Sequence, residues 1–428
     1  MAALARRAGR AATGAGARVN RTATELGPAL VARGLEERRR VSQWFFDGEA
    51  TRIARLCHAV AERCERGGRI LACACSPAAA SDARHVAVEF VHPVIVGKRA
   101  IPALALVGEH GRLVGELDLL AREADVVIVF GEPADASELA AAVAVARERG
   151  SLTVAFAPLA AEWEFAPPSA DPFVLQELVE VLYHIVWELS HVFFEHRGLL
   201  AGRAVRAGHD AGASSFLYPF LNESETDLEG VLADVAASVV MKAREIEALR
   251  EQTVQDGASE IAATAEALRG VFDRGGTLLA LGNGGSATDA ADLVADLALP
   301  LPRGGGAPRR ALDLSADPAI VTAIANDIGP QAVFSRQVIA YGSVGDALIA
   351  FSTSGESRSV IEALAEARRR GLVTIALVGY DGGTIAAELL ADHVIVSRSQ
   401  HIPRIQEAHA TVSHLLRELV ETDLAEAS

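Results

Sequence analysis

The sequence predicts an α/β protein with two tandem doubly wound parallel sheets, each flanked by long helices. Two observations predict this fold: short apolar runs alternate with helical patterns, and one order of motifs occurs twice along the 428 residues. Strands that alternate with helices belong to parallel sheets, because each helix is the crossover between two strands. Aromatic residues are only 5% of the chain, so Ala, Val and Leu must fill the core.

Four segments of the first half match four of the second half, in the same order and at nearly the same spacing. They are 66–71 with 274–279, 124–130 with 345–351, 149–150 with 370–371, and 175–177 with 405–407. Such order indicates two copies of one domain. We expect a tail and the start of the first helix over 1–40, a first copy over 41–197, a linker over 198–225 and a second copy over 226–428.

Apolar runs predict the strands of each copy in chain order. Those of the first copy are 70–74, 103–107, 126–130 and 153–156. Those of the second copy are 278–281, 310–314, 347–351, 373–378 and 393–396. Long helices are expected to open and close each copy, and residues 226–250 have the helical pattern that leads into the second copy.

The composition excludes several classes of protein. A net charge of −16 argues against nucleic acid as a partner, and no apolar run reaches the roughly 18 residues that a membrane helix needs. The four cysteines, Cys57, Cys64, Cys73 and Cys75, come without a secretory segment, which favours a reducing cytoplasm without disulfides. Metal binding by these cysteines is less favoured than simple packing. We interpret the cationic N-terminus as a frayed tail, not as a transit peptide.

Two polar loops of the second copy follow buried strands. The first, Asn283-Gly284-Gly285-Ser286, stands between a strand and a helix, where backbone N–H groups and the helix dipole favour an anion. Its glycines allow a close approach of the ligand, and its serine adds a hydroxyl donor. The second loop, 352–357, reads Ser-Thr-Ser-Gly-Glu-Ser. Two such loops indicate a phosphorylated small molecule as the ligand.

These loops, with 323–327 and 404–407, resemble the sugar-isomerase (SIS) domain superfamily, which has a flavodoxin-like fold, from about residue 258 to the C-terminus. Within it they are similar to the phosphoheptose isomerases. The resemblance implies aldose–ketose isomerisation of sedoheptulose 7-phosphate to D-glycero-D-heptose 7-phosphate, without a nucleotide cofactor. It also implies that phosphate and sugar are bound by Asn283, Gly284, Gly285, Ser286, Asn326, Asp327, Ser352, Thr353, Ser354 and Ser357.

The same family carries a His and a Glu four apart after the glycine loop, and a Gln and a His eight apart on the last helix. These positions are His85, Glu89, Gln176 and His184 in the first copy, and Asp292, Asp296, Gln406 and His414 in the second. Either set lies on one side of its helices, so it can address one divalent metal, with zinc expected and magnesium or manganese open for the aspartates. The resemblance assigns catalysis to Asp296 as base, His414 as acid, and Gln406.

The two copies depart from the family in different parts. Residues 74–81 of the first copy replace the glycine loop without any glycine, and Pro77 removes an amide donor. Glu132 and Asp135 stand where the second loop has hydroxyls and would repel phosphate. The second copy keeps both loops but has aspartates for the His and the Glu. One hypothesis is a pseudo-symmetric pair that replaces a homodimer and shares one pocket; the other is a first copy with only a structural role.

Three functions therefore stay open at this stage. The retained phosphate hydroxyls, Asn326-Asp327, Gln406 and His414 favour an isomerase or at least a ligand binder. The missing His and Glu of the second copy favour a non-catalytic phosphosugar-binding regulator or assembly protein. Isomerisation of another phosphosugar is the third, in which case the altered metal positions are an adaptation. The tandem chain is also expected to form a homo-oligomer, a dimer of tandem chains.

Overall fold

The computed structural model describes residues 23–93, 98–108, 111–195, 199–200, 227–300 and 306–421. Two five-stranded parallel sheets lie within them. The first contains β1 (Ile70–Ala74), β2 (Ala103–Val107), β3 (Val126–Phe130), β4 (Leu152–Ala155) and β5 (Trp163–Glu164), in the order β2-β1-β3-β4-β5. The second contains β6 (Leu278–Gly282), β7 (Ala311–Asp313), β8 (Ala347–Ser352), β9 (Val373–Gly379) and β10 (His393–Ser397), in the order β10-β9-β8-β6-β7. Both sheets have the same topology, as a duplication predicts.

Twelve α-helices connect and cover these strands among the described residues. The helices of the first copy are α1 (Ala23–Glu65), α2 (Pro77–Val91), α3 (Leu113–Leu120), α4 (Ala136–Glu148) and α5 (Pro172–Glu195). Those of the second are α6 (Leu228–Asp273), α7 (Gly285–Ala298), α8 (Pro318–Asp327), α9 (Ser335–Tyr341), α10 (Arg358–Arg369), α11 (Gly383–Ala387) and α12 (Ile402–Glu421). Long helices do open and close each copy.

The predicted fold class is confirmed, and each predicted strand is present within one or two residues of its expected bounds. Strand β5 was missed, because two residues give no period to read. The tail up to residue 22 lies outside the described residues, as does the predicted linker over 198–225 apart from residues 199–200.

The two copies share one hydrophobic core. A single buried cluster contains Phe45 of α1, Leu182 of α5, Ile246 of α6 and Ala408 of α12. Long helices of both copies therefore bury their apolar faces against each other, and not only against their own sheets. Helices α2 and α7, which follow the first strand of each sheet, also pack against each other.

One buried carboxylate links these long helices. Glu177 of α5 is 1% exposed, and Arg38 Nε donates to both of its oxygens at 2.9 and 3.0 Å. Thr411 Oγ1 donates to Glu177 at 2.8 Å, and His414 Nδ1 and Arg250 Nη2 lie 2.8 and 3.5 Å from it. Burial alone would raise the pKa of Glu177, but Arg38 and the other partners outweigh it and hold that pKa well below its usual range.

We expect Arg38→Ala to destabilise the protein by about 3–5 kcal/mol, because it leaves the buried carboxylate of Glu177 without its main partner. The free energy of unfolding from urea titration measures this loss. Arg39→Ala is the control, since the Arg39–Glu36 pair is 50% and 69% exposed and should contribute less than about 1 kcal/mol. Equal losses in the two variants would contradict a structural role for the Glu177 network.

Candidate functional site

Helices α2 and α7 follow the first strand of each copy and pack against each other in opposite directions. Ser81, near the start of α2, donates a hydrogen bond to Asp292 Oδ1 at 2.9 Å, in the middle of α7. Gly285, the first residue of α7, lies against the middle of α2, because a Cβ added to it would be 2.6 Å from His85 Nε2. The start of each helix therefore lies next to a predicted metal ligand of the other copy, Asp292 for α2 and His85 for α7.

The closing helices α5 and α12 repeat this exchange. His184 Nδ1 of the first copy lies 2.9 Å from Glu407 Oε1 of the second copy. In return, His414 Nδ1 of the second copy lies 2.8 Å from Glu177 Oε1 of the first. Because Glu177 and Glu407 are matched positions of the repeat, the two pairs are reciprocal and define a pseudo-twofold relation between the copies.

The structure corrects the expected grouping of the two glutamines. Gln406 Nε2 lies 3.2 Å from His85 Nε2, and Gln176 Nε2 donates to Asp292 Oδ2 at 2.5 Å. Each glutamine thus joins the group of the other copy. Eight residues of helix span about 12 Å, so a glutamine and the histidine eight positions later share a helix face but not a site. We call His85, Glu89, His184 and Gln406 the two-histidine site, and Asp292, Asp296, His414 and Gln176 the two-aspartate site.

The two-histidine site is compact and buried. The Nε2 atoms of His85 and His184 are 3.3 Å apart, and Glu89 Oε1 lies 3.9 Å from His85 Nε2. The Oη of Tyr183 lies 3.0 Å from His85 Nδ1, which leaves Nε2 directed to the site. Three potential metal-ligand atoms, one from each of His85, Glu180 and His184, lie within 4.8 Å of one another. Sequence reasoning missed Glu180, although it stands midway between Gln176 and His184 on the same helix face.

Burial sets the charge states at this site. It lowers the pKa of His85 well below the usual value, with His184 adding to the effect, and it lowers the pKa of His184 to about 3, with Arg404 adding. Both imidazoles are therefore neutral and have a lone pair to offer a cation. Burial, assisted by Glu188, raises the pKa of Glu89 to about 8.

The donors of the two-histidine site fit a divalent metal. Glu89 Oε2, Glu180 Oε1 and Gln406 Oε1 are buried and have no hydrogen-bond partner in the part of the chain that the structure describes. Buried polar atoms without partners are costly. Neutral imidazole nitrogens with carboxylate and amide oxygens are ligands that zinc and similar ions accept. The arrangement can hold such an ion after small changes of side-chain rotamer, including a turn of the Gln406 amide that presents its oxygen.

The two-aspartate site has a different chemistry. Asp296 Oδ2 lies 3.5 Å from His414 Nε2, and burial followed by Asp292 raises the pKa of Asp296 to about 7. The ring of His414 stacks on Phe173 with centroids 4.5 Å apart. Burial alone would lower the pKa of His414, but the hydrogen bond and charge of Glu177 outweigh it, so this pKa is raised. The raised pKa favours the charged form of His414, which pairs with carboxylates, and Asp292, Asp296 and His414 also lie close enough to form a ligand group.

The phosphate-type loops of the second copy adjoin the two-histidine site. A Cβ on Gly285 would be 1.9 Å from Gln406 Nε2. Asn283 Nδ2 donates to Ser357 Oγ at 2.9 Å, so the glycine loop and the serine loop are joined. Asp296 lies eleven residues further along α7, roughly 16 Å from Gly285. The expected catalytic groups Asp296 and His414 are therefore not brought to the loops.

The loops keep their hydroxyls in place through local contacts. Ser286 is 4% and Ser352 5% exposed, whereas Thr353, Ser354 and Ser357 are half-buried. The amide of Gly355 donates to Ser352 Oγ at 3.2 Å. Its φ of +65° and a Cβ position 2.2 Å from Gly382 O explain why a glycine stands there. Gly284, with φ +59°, gives the first loop its turn.

The expected sugar contacts Asn326 and Asp327 lie at the end of α8 and are exposed. Asn326 Nδ2 donates to Asp327 Oδ1 at 2.8 Å, and no hydrogen bond joins either residue to the two loops among the described residues. Their role stays a prediction.

The cysteines and the membrane question are simpler. All four cysteines are free and buried, and burial raises the pKa of Cys64 and Cys75 to about 12. None belongs to a potential metal-ligand group among the described residues. No helix in the described ranges combines the length and apolar character needed to cross a membrane.

Comparisons with known proteins agree with this geometry. A family model described as "SIS domain" matches residues 243–379. A phosphoheptose isomerase of Pelodictyon phaeoclathratiforme is 44% identical over 175 residues, which are 40% of this chain and 82% of the relative. One of Roseiflexus sp. is 41% identical over 207 residues, 47% of this chain and 98% of the relative. The C-terminal domain of a glucosamine-fructose-6-phosphate aminotransferase from Francisella tularensis matches 92% of this chain and 95% of its own with a TM-score of 0.57 and 11% identity, a likeness of fold.

We expect Gly285→Ala to weaken metal binding, because the added methyl overlaps Gln406 and His85. Bound zinc per chain after dialysis against limiting zinc measures the loss. Gly48→Ala is the control, since nothing lies within 4 Å of its added Cβ. Full zinc occupancy in Gly285→Ala would contradict this position for the site.

We expect the metal-free protein to lose stability between pH 5 and pH 8, in part through Glu89. Its pKa of about 8 in the folded state exceeds the usual 4.5, so the folded protein keeps a proton that the unfolded chain releases. This contribution is complete below pH 4.5 and declines by about 1.4 kcal/mol per pH unit up to pH 8. Urea titrations in chelator should therefore give Glu89→Gln a shallower slope of stability against pH, and identical slopes would refute the shift.

Proposed function

The chain belongs to the SIS-domain family that includes the phosphoheptose isomerases, and from this premise we propose that it is an aldose–ketose isomerase. Its substrate is sedoheptulose 7-phosphate and its product is D-glycero-D-heptose 7-phosphate. The observation that carries the proposal is the position of Gly285 against His85, which joins the glycine loop of the second copy to a metal residue of the first copy, with Gln406 of the second copy beside both. One chain then contains one complete composite site.

The second copy binds the phosphate in this proposal. The start of α7 directs backbone N–H groups and the positive end of a helix dipole to the anion. Ser286 and the hydroxyls of the loop 352–357 add donors, with Asn283 linking the two loops. Neither loop needs a lysine or arginine, so the acidic composition of the chain is no obstacle to a phosphorylated ligand.

The first copy provides the proton-transfer chemistry. Isomerisation moves a proton between adjacent carbons through an enediol and needs a base, an acid and stabilisation of negative charge. Glu89 is the base that we assign, because it stands at the base's position of the family, its Oε1 lies 3.9 Å from His85 Nε2, and its buried Oε2 has no hydrogen-bond partner among the described residues. His184 stands at the position that the family resemblance gives to the acid, but it is neutral here, and in this proposal it binds the metal while Glu407 fixes its orientation.

A divalent ion, which we propose to be zinc, is held by His85, Glu89, His184 and Gln406. Bound there, it supplies Lewis acidity toward the carbonyl and hydroxyl oxygens of the sugar. Burial keeps the imidazoles of His85 and His184 neutral. The four residues of the two-histidine site are each less than 3% exposed, so the site excludes bulk water.

The two-aspartate site becomes the structural counterpart of the composite site. The replaced loops of the first copy face it through Ser81, and Glu132 contributes to the raised pKa of Asp296. Asp296 and His414, the catalytic residues expected from the second copy alone, are therefore replaced in our assignment by Glu89 and His184. The copy boundaries 41–197 and 226–428, the cytoplasmic location and a dimer of tandem chains remain part of the proposal.

A non-catalytic phosphosugar-binding protein is the second candidate. It was favoured by the absence of a His and a Glu from the second copy. That observation loses its weight here, because His85 of the first copy lies against the glycine loop and Glu89 lies 3.9 Å from His85.

We expect Glu89→Gln to lower the kcat for sedoheptulose 7-phosphate by a factor of at least about 100, the usual effect of losing a general base. Asp296→Asn, at the matched position of the other copy, should change kcat by less than a few fold. Ser354→Ala should raise KM instead. Aldose formation by the zinc-loaded protein, followed by NMR, measures all three.

The opposite pattern, with Asp296→Asn inactive and Glu89→Gln active, would move the site to the second copy. An inactive native protein that still binds the phosphosugar saturably in calorimetry would support the non-catalytic candidate.

A further inference from the structure

On the basis of the proposed function, we propose that Glu180 is a fifth ligand of the metal at the two-histidine site. The site then has two imidazoles, two carboxylates and one amide oxygen. This donor set is richer in oxygen than the four positions given by the family resemblance.

The position of Glu180 fits one ion shared with the histidines. One ligand atom from each of His85, Glu180 and His184 falls within 4.8 Å of the other two. Metal–ligand distances near 2 Å let two ligand atoms on one ion lie about 4 Å apart. A small change of side-chain rotamer is therefore enough to bring all three to one ion.

The helix register also points Glu180 to this site. Gln176, Glu180 and His184 follow each other at intervals of four on α5, so they lie on one face of the helix. His184 is the member at the two-histidine site, and Glu180 lies about 6 Å before it along the axis. Gln176 is turned over to Asp292 of the other site.

One oxygen of the buried Glu180 carboxyl is unpaired in the described part of the chain. Glu180 is 4% exposed, and its Oε1 has no hydrogen bond among the described residues. Burial raises its pKa well above the usual value, and the neighbouring carboxylates of Asp289, Glu407 and Asp82 raise it further. Arg404 lies near, but it is bound to Glu407 at 2.9 Å. A buried acid among acids is unfavourable unless a cation joins them.

The matched position of the second copy supports a local role. There the series reads Gln406, Ala410 and His414, so an alanine stands in place of Glu180. The added carboxylate thus occurs only in the half that has His85 and His184. A fifth donor raises the number of ligands that the site offers above the four of a tetrahedral zinc site, and zinc can accept five.

The test is to load the full chain with Co²⁺ and compare wild type with Glu180→Gln and Glu180→Ala. The visible absorption of Co²⁺ reports its coordination number, and competition with a chelator gives the affinity. We expect both variants to bind Co²⁺ at least tenfold more weakly and to show the more intense absorption of a four-coordinate ion. Thermal unfolding checks that both variants fold.

Asp289→Asn is the matched control. Asp289 is also buried, with an unpaired Oδ2 and a raised pKa, but it belongs to no ligand group among the described residues. It should keep the wild-type Co²⁺ spectrum. An equal spectral change in Asp289→Asn and Glu180→Gln would overturn the proposal, because general relief of charge repulsion would then be the cause.

Turnover of sedoheptulose 7-phosphate, measured on the same samples, separates this inference from the proposed function. Active wild-type protein whose Co²⁺ spectrum and affinity are unchanged in both Glu180 variants overturns the fifth ligand and leaves the isomerase in place. Protein that neither binds Co²⁺ nor turns over substrate overturns both.

Discussion

Buried histidine–glutamate pairs that cross between the two copies determine the rest of the structure. His184 with Glu407 and His414 with Glu177 each join a helix of one copy to a helix of the other. A buried pair of this kind is lost if either copy moves, because its members would be left unpaired away from water. The pairs therefore fix how α5 meets α12, and with it which loop of one copy faces which residues of the other.

This crossing explains how two incomplete copies can form the one composite site that we propose. In a symmetric dimer of such domains, each site would combine loops of one copy with ligands of the other. Here the second copy has kept its loops and the first has kept its His and Glu, so all intact parts meet on one side. The replaced loops of the first copy and the aspartates of the second meet on the other side. Each copy thus lacks one part of the family's site, but the part that one copy lacks is provided by the other copy at the two-histidine site.

The charge states of the two sites depend on which residues of the two copies lie together at each site. At the two-histidine site the imidazoles are neutral and oxygens are unpaired, a state suited to a cation. At the two-aspartate site Glu177 and Asp296 raise the pKa of His414, which favours a charged imidazole between these carboxylates. The replacement of His and Glu by two aspartates thus exchanges a metal-type site for an internal ion pair.

The sequence by itself determined the fold class, the order of strands and helices, and the identity of both phosphate-type loops. Repeats, apolar runs and glycine positions can be recognised in the sequence, because the strands, helices and turns that they predict depend mainly on residues close together in the chain. The spacing of four and eight residues also pointed to the side chains that the structure gathers into the two-histidine and two-aspartate sites, but it gave no sign of Glu180. Only the tertiary structure decided which copy's residues share a site. The spacing of residues shows which face of a helix they share, but not which neighbour lies at each point along that face. On α5 and on α12 the glutamine and the histidine are about 12 Å apart along the helix axis, so each contacts a different site, and only the packing of the helices shows this.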